Sequence, residues 1–129
     1  MKKAFALLLM LIAAATVTNA QTSMTAPGKV LRHVVLFKFK DGTTDTDIKK
    51  VEDAFHALPS KIKEIRSWEW GKNNSPENLN QGFTHCFFVT FSSEKDRANY
   101  LPHPAHKAFG ETLHPFLDKV LVLDYWAEK

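Results

Sequence analysis

Polar and apolar residues alternate through Leu31 to Lys40, placing His33, Val35, Phe37 and Phe39 on one face of a predicted strand. Val34, Leu36, Lys38 and Lys40 take the other. The same period returns after Phe83, where His85, Phe87, Val89 and Phe91 share one face and Thr84, Cys86, Phe88 and Thr90 the opposite one. Each strand therefore carries an apolar stripe headed by a histidine. Asp41 and Gly42 close the first strand, and Thr44 to Asp47 has the spacing of a helix N-cap. Ile48, Val51, Phe55 and Leu58 then recur at helical spacing until Pro59, with His56 at the edge of that apolar face. A turn over residues 60–64 leads to a short strand from Ile65 to Trp70, with Trp68 and Trp70 on one face as core or subunit contact. The Asn-rich, Pro- and Gly-containing stretch after Gly71 reads as a loop.

Beyond the second stripe, Ser92 or Ser93 with Asp96 starts a helix to about Leu101. Pro102 and Pro104 bracket His103, and Pro104 suits the first position of another helix. That helix is predicted to reach about Leu117, interrupted at Gly110 and Pro115, before a last strand from Lys119 to Trp126 that is apolar on both faces. The order β-α-β-β-α-β predicts an α+β, ferredoxin-like protomer: a four-stranded antiparallel sheet with helices on one face. Val34, Leu36, Cys86 and Phe88 would then leave an apolar patch on the bare face. The economical way to cover it is a homodimer that packs sheet on sheet.

The first residues, MKKAFALLLMLIAAATVTNA, combine two lysines, an apolar run and small residues before Gln21. This is the pattern of a cleavable signal peptide over residues 1–20, followed by a flexible lead-in over 21–29 and one domain over 30–127. The expectation is a periplasmic or secreted protein with no stable membrane association after cleavage. Of 129 residues, 109 would remain, with 15 basic against 14 acidic side chains and a net charge of +1. No concentrated basic patch survives, which argues against a nucleic-acid partner. The single cysteine, Cys86, cannot form an internal disulfide and reads as a small buried hydrophobe.

The chemistry gathers where histidines and a tyrosine meet the apolar stripes. His33 and His85 would project toward the turn carrying His103 and His106, with Tyr100 at the end of the preceding helix. His106, near a helix N-terminus, would be held neutral by the dipole and free to take a proton. Val35, Phe37, Phe87, Val89 and Phe109 complete a mostly apolar pocket for a small molecule. Three functions compete for it. A neutral imidazole and a phenol can remove a proton beside a carbonyl and steady the resulting enolate. His103, His106 and a strand histidine could ligate a metal or haem, although Pro104 spoils the simple helical spacing and no carboxylate stands nearby. The histidines could also be structural. No cofactor or metal is expected.

Taken together, HVVLFKFKD, WGKN, GFTHCFFVTFSS, YLPHPAHKAFG and VLVLDY resemble the stress-responsive dimeric α/β barrel (Dabb) family over residues 30–127. The resemblance implies a protomer whose sheet pairs with a second to form a dimeric α/β barrel. Within the family the Tyr-x-x-His-Pro-x-His string is similar to that of a plant polyketide cyclase, which implies His106 as general base and Tyr100 as its assistant, with His33 and His85 lining the pocket. The resemblance also implies that Phe55 and Val51 line the pocket, and here the pattern departs: the cyclase has a tunnel-lining tyrosine at the position of Phe55 and a phenylalanine at that of Val51.

Overall fold

The computed structural model describes residues 28–128. The predicted signal peptide and nearly all of the lead-in lie outside the described residues. The chain runs β1 (Leu31–Phe39), α1 (Asp45–His56), α2 (Leu58–Lys61), β2 (Ser67–Lys72), β3 (His85–Phe91), α3 (Glu94–Tyr100), α4 (Pro104–Leu113) and β4 (Leu117–Trp126). The strands form one antiparallel sheet in the order β2-β3-β1-β4, the ferredoxin-like arrangement expected.

The N-caps form as the sequence predicts. Thr44 accepts from the Asp47 amide to start α1, and Ser93 accepts from the Asp96 amide to start α3. Other boundaries differ. Pro59 does not end helical structure; it sits in the first turn of α2, where its missing N–H has no intrahelical partner to lose. Gly110 does not interrupt α4, because Phe109 and Leu113 on either side are both buried and hold the helix against the sheet. Strand β2 extends past Gly71, since Gly71 and Lys72 still pair with Cys86 and His85. Strand β4 starts two residues before the expected Lys119 because Leu117 pairs with Phe39.

The core lies between the helices and the stripe face of the sheet. Phe37, Phe55 and Phe87 meet there, with ring centroids 4.9 Å apart for Phe37 and Phe87 and 4.4 Å for Phe55 and Phe87. Aromatic pairs of this kind add about 0.5–1.5 kcal/mol each beyond their burial. Trp68 and Trp70 are half-buried on this same side. Trp70 stacks on Phe87 at 5.7 Å and donates its indole N–H to His56 Nε2 at 2.7 Å. The opposite face has no helix. Leu121, Leu123 and Tyr125 are exposed there, and Cys86, on the same face but across β1 from them, is half-buried, its thiol pushed up by burial and by Glu69. Val120 and Val122 face the helical side yet remain exposed, so the helical layer stops short of β4.

Candidate active site

That incomplete cover leaves a hollow of about 380 Å³ between α4 and the sheet. Its walls are chiefly apolar: Val35, Phe37, Phe87 and Val89 rise from the sheet, and Phe55 and Phe109 come from the helices. Tyr100, His106 and His33 supply polar groups, and His114 and Asp124 add two more. An apolar cavity with a few convergent polar groups suits a small organic ligand.

The turn from α3 to α4 places the first two. Tyr100 ends α3, His103 caps α4, and Pro104 opens it, so Tyr100 and His106 come together with ring centroids 4.3 Å apart. Tyr100 is only 2 % exposed, and burial drives its phenol far above the ordinary range, so it stays protonated. His106 Nδ1 lies 2.9 Å from the Leu101 carbonyl oxygen. A carbonyl can only accept, so Nδ1 carries the proton in the neutral ring and Nε2 keeps a free lone pair. Burial holds the imidazole below its ordinary value; the Leu101 bond opposes this, and His33 and His103 reinforce it.

His33 forms the third corner. Its ring centroid is 5.8 Å from that of Tyr100, and its Nδ1 is 2.7 Å from Asp124 Oδ1. The carboxylate accepts, which again leaves Nε2 as the acceptor. Asp124 Oδ2 in turn accepts from Arg97 Nη1 at 2.7 Å. Sequence reasoning missed both Asp124 and Arg97. The sign of Asp124 was present, since it shares strand parity with Val120 and Val122 and interrupts an otherwise apolar face.

Three residues expected in the pocket are elsewhere. His85 points to the same face as His33, but β1 and β3 are antiparallel, so the histidines heading each stripe stand at opposite ends. His33 pairs with Val89, four residues and about 13 Å from His85. His85 instead packs against Phe39 and Trp70, donates from Nε2 to Glu52 and accepts from Thr84 on Nδ1. Burial lowers its pKa and outweighs the raising effect of Glu52. His103 spends Nδ1 on the Ala105 amide, at 3.1 Å, as the cap of α4. Val51 is wholly buried in the core beneath α1. Among the described residues no group of three or more His, Cys, Asp or Glu side chains is gathered to hold a metal ion.

Fold and hollow together define a ferredoxin-like protomer with a mostly apolar cavity, edged by histidines, under its helices. The description "Stress responsive A/B Barrel Domain" matches residues 31–127, and the chain belongs to this Dabb family. It is 42 % identical over 95 residues to the stress-response A/B barrel domain-containing protein HS1 of Arabidopsis thaliana, covering 74 % of this chain and 87 % of that protein. It is 32 % identical over 99 residues to olivetolic acid cyclase of Cannabis sativa, covering 77 % and 98 %. Among solved structures it resembles the hydroxynitrile lyase of Passiflora edulis, with a TM-score of 0.73, 27 % identity and coverage of 78 % and 95 %. It also resembles a dimeric ferredoxin-like protein of unknown function from Bacteroides fragilis, with a TM-score of 0.63, 29 % identity and coverage of 76 % and 96 %.

Proposed function

We propose that the protein binds a small, largely apolar, carbonyl-bearing molecule and moves a proton next to that carbonyl, with His106 as general base and Tyr100 as hydrogen-bond donor to the developing oxyanion. The observation that carries this reading is the pinned His106 ring, whose free Nε2 shares an apolar cavity with a protonated phenol. A base needs a lone pair at working pH, and an oxyanion donor needs a proton it does not lose. One relative is named a cyclase and one structural neighbour a hydroxynitrile lyase, so the reaction class is the making or breaking of a bond at or beside a carbonyl carbon. Two probes separate these cases: a linear β-polyketo thioester for ring closure and an aromatic cyanohydrin for cleavage.

With whichever probe turns over, His106→Gln should lose about 10²- to 10⁴-fold in kcat. Tyr100→Phe should lose about 10²- to 10³-fold, with far-UV circular dichroism unchanged in both. Folded variants that keep full turnover would remove the catalytic assignment. A second reading, a ligand-binding protein with structural histidines, has its own support, because His33, His85 and His103 all have partners within the protein. Under that reading a ligand would bind both variants and neither probe would react.

The working form is a homodimer joined through the bare sheet face, as the dimeric neighbour and the exposed Leu121, Leu123 and Tyr125 favour. The mature protein is exported and begins at Gln21. N-terminal sequencing of protein expressed with its leader checks this; an intact Met1 on the purified product would refute it.

A further inference from the structure

We propose that Arg97 is a positioning residue: acting through Asp124, it holds His33 in the tautomer that turns a lone pair toward the cavity, giving the site a second proton acceptor beside His106. This rests on the acid–base reading of the cavity. Its test needs no substrate, so the two can fail separately.

Arg97 lies one turn before Tyr100 on α3 and does not itself line the cavity. Its guanidinium meets Asp124 on β4, at the rim of the site, while the other carboxylate oxygen holds His33 Nδ1. Each link has only one direction. A guanidinium can only donate and an ionised carboxylate can only accept, so both oxygens receive protons and His33 must carry its own on Nδ1. Its Nε2 makes no hydrogen bond among the described residues, although no buried side-chain polar atom there lacks a partner. That nitrogen is therefore accessible, and His33 is a cavity residue only 5 % exposed, so it opens on the hollow. Asp124 keeps about a quarter of its side chain exposed. Without Arg97 it would be free to turn toward water, and nothing else described would select the His33 tautomer.

The experiment is long-range ¹H–¹⁵N correlation spectroscopy of the histidine rings in the ligand-free full-length mature protein, at mildly alkaline pH. Wild type should show His33 protonated at Nδ1. In Asp124→Asn, Arg97 should claim the amide oxygen and turn the amide NH₂ toward His33, so the proton moves to Nε2. In the Asp124→Asn, Arg97→Met double variant the amide is free to turn its oxygen back, and the Nδ1-protonated form should return in part. Arg97→Met alone should give a mixture of tautomers, and Arg97→Lys should restore the wild-type form in large part. The proposal is overturned if folded Arg97→Met keeps the wild-type tautomer, or if the single and double Asn variants give the same spectrum. Amide dispersion in the same samples reports whether each variant is folded.

Discussion

His85 is buried and His106 half-buried, and the two imidazoles share the same direction of pKa shift. Burial is the main cause in both, and it disfavours the charged ring. For His106 this keeps the free base available below pH 6.5, the ordinary value, so the acid limb of turnover should fall below that pH. The consequence for stability has a definite sign. An unfolded chain titrating near 6.5 takes up protons that the folded chain refuses, so stability declines as pH drops from about 6.5 through the lowered folded values, and the slope ends below them. Glu52 adds a separate window. Burial works to raise its carboxyl, but hydrogen bonds and charge from His85 and Lys72 outweigh that and hold it below the ordinary 4.5; its contribution is present above 4.5 and lost as pH falls through the lowered value. Urea denaturation at a series of pH values should therefore show two declines, and His106→Gln should make only the upper one shallower, the share due to His85 remaining. An upper slope unchanged in His106→Gln would contradict the shift.

At the scale of elements, the site depends on how α3 and α4 are joined. Ser93 fixes where α3 starts, Tyr100 is its last residue, and His103 with Pro104 restarts the chain as α4. Gly110 lies in the middle of α4, on the cavity wall, and a Cβ built there meets nothing within 4 Å. Glycine in a helix interior costs about 0.5–1 kcal/mol relative to alanine. Gly110→Ala should raise stability by about that much in chemical denaturation. A loss of stability would mean that α4 needs flexibility or space at this position. The strands supply the counterpart: β1 and β4 pair so that His33 faces Asp124, while β1 and β3 pair so that His33 is carried away from His85.

For the whole molecule, the bare sheet face is the surface through which the proposed dimer would join. Leu123 is 59 % exposed, with Leu121 and Tyr125 exposed on the same face, and a contiguous apolar patch of this kind is uncommon on a monomer. Leu123→Lys should shift the protein toward monomer in size-exclusion chromatography with light scattering, while leaving the protomer folded. An unchanged dimer would place the interface elsewhere. Period-two alternation made β1 and β3 legible, with their faces and the apolar side left uncovered, because each of these strands carries its pattern in its own residues; β4, apolar on both faces, took its facing only from its pairing with β1. The caps at Thr44 and Ser93 and the Pro104 start of α4 were legible for the same local reason. The departure of His85 from the site could have been read from the sequence too, since antiparallel pairing sends the heads of two stripes to opposite ends. What the chain could not disclose alone was the link from His33 to Asp124 and on to Arg97, which joins residues 91 and 27 positions apart. Nor could it show that the helices stop short of β4 and leave a hollow there. Hydrophobic period reports which side of an element is buried; which side chains meet across elements depends on strand order and register, and these exist only once the sheet has formed.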